Sequence, residues 1–212
     1  MLWNLHDIAD AIERILRDAE HALRAEQAVY GLDSLDESGL QTLLADGLGK
    51  LFDVAREVHY PSSSGRKLTS RPRCDLVLTP RGRPLARDDA PPGLFDPVNA
   101  CPASEALWIE VKLATQYRAP GERHAGYGPQ WRQALLDDLR KMEAEPLIRE
   151  AALLLVVFNE SEDVLQKDLD LFEDLLMKGE VLAGFRQTRG LPVLDRMGHR
   201  LCTAALWPTV QR

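Results

Sequence analysis

The chain has 212 residues, 45% of them hydrophobic, which suits one domain able to bury a substantial core. A charged fraction of 28%, with modest glycine and proline, excludes the disordered and fibrous classes. The net charge of −7 excludes a polyanion binder held by overall charge, although a local cluster of Lys and Arg can still meet phosphate.

The chain opens on an amphipathic helix, with Leu2, Leu5, Ile8, Ile12 and Leu16 at helical spacing and Gly31 as its stop. Asp33 to Glu37 supplies capping side chains, so a second helix starts near Asp36 or Glu37 and carries Leu40, Leu44 and Leu48. Residues 53–60 read as a strand that Pro61 to Gly65 ends in a turn, and Arg73 to Thr79 as another. The proline-rich stretch from Pro80 to Ser104 is expected to be an irregular excursion. Leu107 to Leu113 is the next strand, followed by a loop containing Gly121, Gly126, Gly128 and Pro129, then a helix from about Gln130 to Ala144 that Pro146 ends.

Ala151 to Phe158 is almost wholly apolar, which predicts a central strand covered on both faces. A helix then turns Val164, Leu165, Leu169, Phe172, Leu175 and Leu176 inward, and strands over Val181 to Thr188 and Arg200 to Trp207 close the sheet edge. The expected architecture is α/β, a mixed sheet flanked by helices on both faces. Within one domain over 1–212, residues 1–31 form the first helix, 36–158 the core and 159–212 the last helix and edge strands.

Three cysteines, Cys74, Cys101 and Cys202, lie too far apart in sequence to suggest a disulfide framework or a zinc site. They indicate a reducing compartment. The first residues lack a basic, then apolar, leader and no apolar run approaches a membrane span, so a cytoplasmic protein without membrane association is expected. The five histidines are scattered without ligand spacing, and Trp3, Trp108, Trp131 and Trp207 sit beside apolar positions as core anchors.

Chemistry concentrates in two strands. Side chains alternate along a strand, so Glu110 and Lys112 share one face; on the preceding strand Arg73, Asp75 and Val77 share a face opposite that of Cys74, Leu76 and Leu78. If the strands pair, Asp75 approaches Glu110. Charges on apolar strands are costly unless partnered, and a hard cation such as Mg²⁺ or Mn²⁺ is a fitting partner, held by Asp75, Glu110 and the backbone carbonyl of Val111. There it would neutralise a phosphate and favour ionisation of an attacking water, with Lys112 orienting that water or stabilising developing charge.

These residues resemble the PD-(D/E)XK nuclease superfamily, with its restriction-endonuclease-like fold. The corresponding pieces are Glu37 before Leu40-Gln-Thr-Leu-Leu44, Asp75 in Arg-Cys-Asp-Leu-Val-Leu, and Glu110-Val-Lys112 in Trp-Ile-Glu-Val-Lys-Leu, followed by a helix holding Gln130, Asp137 and Lys141. The similarity covers roughly residues 36–158. It implies a metal-dependent nuclease acting on nucleic acid, with DNA favoured by family habit, and gives Glu37 an auxiliary ligand or water-positioning role. Cys74 stands where the family has a proline, and the excursion between Asp75 and Glu110 requires an insertion.

Plainer readings stand beside these. Glu37 is also a first-turn acid favoured by the helix dipole, and Lys141 is either a phosphate contact or a helix-surface partner of Asp137 and Asp138. Arg71 and Arg73 either reach phosphate or neutralise Glu110 or Asp75. The competing function is a catalytically inactive nuclease-fold protein that serves as a protein-binding or regulatory module, for which the acidic charge suits a protein partner. A third reading makes the residues an ion pair in an unrelated α/β protein.

Overall fold

The computed structural model describes residues 3–63, 71–86, 99–118 and 121–209. Helix α1 (Leu5–Ala25) starts where the Asn4 side chain accepts the His6 N–H, and it buries Leu5, Ile8, Ile12 and Leu16 along one stripe. It stops at Glu26, with Gln27 in the left-handed region at φ 53°, and so ends short of the Gly31 boundary expected from sequence. A short 3₁₀ turn, Leu32–Ser34, leads to α2 (Glu37–Leu48), capped by Asp36, whose carboxylate accepts the Gly39 N–H at 2.7 Å. Gly47 lets α2 approach α1 closely: a Cβ there would stand 2.5 Å from Cγ1 of Ile15.

Six strands form one mixed sheet. In chain order they are β1 (Phe52–His59), β2 (Arg73–Pro80), β3 (Leu107–Thr115), β6 (Glu150–Asn159), β7 (Gln187–Pro192) and β8 (Leu201–Pro208), and in space β1-β2-β3-β6-β8-β7. Among the strand pairs of this sheet in the described residues, only β3–β6 is parallel. Its crossover contains α3 (Tyr127–Glu143), and α4 (Glu162–Lys178) joins β6 to the last two strands. Helices α1 and α2 enclose one core with Leu76, Leu78, Ile109, Val111 and Leu154, while α3 and α4 enclose the other with Val77, Trp108, Leu153, Leu155 and Trp207.

The apolar run predicted as a central strand is β6, buried from Ala151 to Asn159 between β3 and β8. All four tryptophans are buried. Elsewhere the elements shift. The last pair of strands does not form the edge as a unit: β8 lies inside the sheet and only β7 is at the edge. Residues 181–186 are not a continuous strand: Val181 closes the end of α4 by donating its N–H to the Leu176 carbonyl at 3.1 Å, Ala183 makes an isolated bridge to Thr209, and the ladder with β8 begins at Gln187.

Leu175 of α4 is exposed rather than inward. Helix α3 begins at Tyr127, three residues before Gln130, since Pro129 lies in the first turn, where its missing N–H has no helical acceptor to lose. The loop before it contains an unforeseen two-stranded hairpin, β4 (Tyr117–Arg118) and β5 (Glu122–Arg123). Of the excursion after Pro80, the described ends are tied by a bridge between Leu85 and Cys101, while residues 87–98, like residues 64–70, lie outside the described residues. Among the described residues no helix is long and apolar enough to cross a membrane.

Candidate active site

The site forms where β2 parts from β3. Their ladder runs from Leu78↔Leu107 to Leu76↔Ile109 and stops, which leaves backbone groups further along β3 in need of partners. Side chains supply them. Asp75 turns its carboxylate Oδ2 onto the Val111 N–H at 2.7 Å, and the Cys74 thiol lies 3.3 Å from the Ile109 carbonyl as its donor. Burial pushes the Cys74 thiol up, which keeps the proton it donates. A proline at position 74 has no side-chain donor to offer there.

On the other side of β2, Glu57 stands across from Asp75 between the pairs Arg56↔Leu76 and Val58↔Cys74, with φ at 52°, a left-handed conformation that non-glycine residues seldom adopt. The strict alternation expected of β2 fails at this point. Cys74 joins Val77 in the core under α3 and α4, whereas Leu76 and Leu78 face the core under α1 and α2.

Glu110 and Lys112 project together, as expected, and meet α3. Glu110 is only 2% exposed, and its Oε1 accepts from the Tyr60 hydroxyl at 2.6 Å and from Lys141 Nζ at 2.6 Å. Lys141 also holds Asp138 Oδ1 at 2.8 Å. Lys112 Nζ lies 3.2 Å from Glu37, 3.3 Å from Asp138 Oδ2 and 4.0 Å from Asp75, and it donates to the Val111 carbonyl at 3.2 Å. Asp138 Oδ2 is buried without a well-oriented hydrogen bond, so Lys112 is what meets its charge.

The electrostatics follow from this packing. Burial, reinforced by the charges of Asp138 and Asp75 and opposed by Lys141, pushes the Glu110 carboxyl up to about 7. Burial also raises the Tyr60 hydroxyl, keeping it a neutral donor. Burial pulls Lys112 down, but Asp138, Glu37 and Asp75 outweigh it and hold the ammonium above the ordinary lysine value. Lys112 is therefore a fixed cation and donor and not a base. Lys141 is raised for the same kind of reason, with burial opposing and Glu110 the largest support.

Four carboxyl groups, Glu37, Asp75, Glu110 and Asp138, thus face two ammonium groups, an excess of two negative charges when all are ionised. Among the described residues no three His, Cys, Asp or Glu side chains are grouped as a ready-made metal cage. The donor set instead fits a hard cation that takes two carboxylates and keeps its waters, as Mg²⁺ does. The bonds to Glu110 fall on Oε1 and those to Asp75 on Oδ2, so the second oxygen of each carries neither. The Val111 carbonyl, by contrast, is taken by Lys112.

The predicted site residues Glu37, Asp75, Glu110, Val111 and Lys112 are thus brought together. The predicted phosphate contacts are not arranged as one surface. Lys141 points into the cluster and ties Glu110 to Asp138, while Arg73 reaches toward Glu57 at 3.8 Å and not toward the site acids. Arg71 is partnered within the structure. Arg66, Lys67 and Arg87, the cations near Arg71 and Arg73 in sequence, and the side chain of Gln130 lie outside the described residues.

Sequence reasoning missed Tyr60 and Asp138. Asp138 was visible as the i,i+3 partner of Lys141, but its hold on Lys112 crosses from α3 to β3 and has no sequence signature. Tyr60 reaches Glu110 across fifty residues of chain, and nothing local marks it. The cluster opens at its Lys112 and Glu37 end into a cleft of about 730 Å³. No protein-family model, curated protein or solved structure matches the chain.

Proposed function

We propose that the chain is a metal-dependent nuclease with a restriction-endonuclease-like fold, which hydrolyses phosphodiester bonds of nucleic acid, DNA being favoured by the resemblance. The observation that carries this reading is the convergence of Glu37 from α2, Asp75 from β2, and Glu110 and Lys112 from β3 on one cluster, which meets the cleft at Glu37 and Lys112 and carries two negative charges in excess when all its groups are ionised. Leaving out β1, which stands between α2 and β2, and the β4–β5 hairpin before α3, the elements α2, β2, β3, α3 and β6 follow the helix, strand, strand, helix, strand order that the resemblance calls for. Asp75 and Glu110 would hold Mg²⁺ or Mn²⁺, which when bound supplies charge neutralisation for the phosphate and acidifies water.

The protein's own groups do the rest. The Val111 N–H fixes the Asp75 carboxylate, Tyr60 and Lys141 fix Glu110, and Lys112 remains protonated to stabilise negative charge that develops on phosphate. Glu37, on the cleft side of Lys112, orients that ammonium. Calorimetric titration with Mg²⁺ or Mn²⁺, on the wild type and on Asp75→Ala, paired with cleavage of plasmid and single-stranded DNA, tests the reading. Binding and cleavage that both vanish in the variant support it, and a folded wild type that shows neither overturns it.

A second reading has its own observation. Each lysine of the cluster already sits on carboxylates, Lys141 on Glu110 and Asp138 and Lys112 on Glu37 and Asp138. Such internal neutralisation is what a catalytically silent scaffold with a protein-binding or regulatory role would keep. The same titration separates the two, since a silent scaffold takes up no cation.

A further inference from the structure

We propose that the cleft beside Lys112 binds an unpaired nucleic-acid strand, so that the nuclease acts on single-stranded and not duplex substrate; this rests on the nuclease reading above. The cleft starts at Glu37 and Lys112 and extends to the β4–β5 hairpin, where Arg118, His124 and Tyr127 line it. His124 and Tyr127 are also walls of a second hollow of about 510 Å³, which reaches Arg123. The two hollows therefore adjoin, and a strand seated in the first has the second beside it.

The lining suits the chemistry of such a strand. Tyr30 is 69% exposed at the cleft rim and has neither a hydrogen bond nor a ring partner among the described residues, so its π-face is available for a base. Arg118 is exposed and has no ion-pair partner among the described residues, whereas Arg123 on the paired strand lies 3.9 Å from Glu160. A guanidinium without a carboxylate partner is free to take phosphate. In the wall, Trp131 is buried and its indole N–H lacks an acceptor.

A duplex keeps its bases stacked inside and offers none to Tyr30, while an unpaired strand exposes a face of each base for stacking beside its phosphates. The site predicted from sequence for phosphate, around Arg71 and Arg73, has its arginines already partnered. Arg118 and Tyr30, each without such a partner among the described residues, line the same cleft as Glu37 and Lys112.

Fluorescence anisotropy in EDTA, which prevents cleavage, tests this with labelled oligo-dT and oligo-rU of about a dozen nucleotides and a duplex of the same length, on wild type, Tyr30→Ala and Arg118→Ala. Wild type is expected to bind one or both single strands at least about tenfold more tightly than duplex, and each variant to lose about tenfold. Arg118→Ala also lowers the dependence of log Kd on log salt by about one. Circular dichroism and Mg²⁺ affinity stay at wild-type values in both variants.

Equal or tighter binding of duplex, no binding of either single strand, or variants that keep wild-type affinity overturns the inference. If cleavage is metal-dependent but these results fail, the cleft assignment alone falls. If the strand binds through Tyr30 and Arg118 while metal binding and cleavage are absent, the nuclease reading falls and the strand-binding cleft stands.

Discussion

Replacing Glu110 by glutamine removes a costly buried charge, and the cost follows from its surroundings. The carboxyl is 2% exposed, and its pKa rises from the ordinary glutamate value of 4.5 to about 7. At about 1.4 kcal/mol for each tenfold change in acidity, ionising it in the folded protein costs about 3 kcal/mol more than in the unfolded chain. Glutamine keeps an Oε1 that can accept from Tyr60 and Lys141, so the hydrogen bonds survive while the charge does not.

The sign is fixed by where the proton sits. Between 4.5 and about 7 the folded protein keeps a proton on Glu110 that the unfolded chain has lost, so this contribution to stability is complete at the acid end and is lost as the pH rises through 7. Urea denaturation of wild type and Glu110→Gln at about pH 5 and about pH 8.5 should show the variant gaining about 2–3 kcal/mol on the wild type over that interval, while its cation affinity and cleavage disappear. Comparing the two proteins cancels the contributions of groups other than Glu110. A stability difference that stays constant with pH, or moves in favour of the wild type as pH rises, would refute the reasoning.

Because a cation favours the ionised carboxylate, Mg²⁺ binding at about pH 7 should release on the order of half a proton, seen as a buffer-dependent calorimetric heat that vanishes near about pH 8.5; proton uptake would contradict the site. Asp138→Asn removes a charge that raises the Glu110 carboxyl, so the pH transition in stability should move to lower pH, and a transition that stays in place or moves upward would remove Asp138 from the cluster's electrostatics. Gly47→Ala should destabilise by about 1–3 kcal/mol despite alanine's better helix propensity, because the new Cβ meets both branches of Ile15 at 2.5–2.8 Å; a thermal melt that shows stabilisation would refute the close approach of α1 and α2.

Much of the secondary structure was legible because it is written in local periodicity. The stripe of α1, the Asp36 cap of α2 and the unbroken apolar run of β6 each express a short-range rule, and each element formed, although α1 ends before Gly31. That Asp75 lies near Glu110 was legible from the adjacency of the two strands, although the alternation expected of β2 fails at Cys74. Boundaries failed where the geometry of a helix end set the limit, as when Val181 closed α4 with its N–H on the Leu176 carbonyl instead of joining β7, and when α3 began at Tyr127 with Pro129 in its first turn.

What the sequence determined by itself was the inventory: an α/β chain with acids and a lysine on apolar strands, where desolvation demands partners. Which partners they take was decided only by the tertiary structure. The splay of β2 from β3 turned Asp75 onto the Val111 N–H and broke the alternation that placed Cys74 with Leu76. The packing of α3 carried Asp138 and Lys141 onto the strand charges, and the end of β1 delivered Tyr60 to Glu110. These contacts join residues tens of positions apart, whose geometry depends on how whole elements pack, and local spacing holds no record of it.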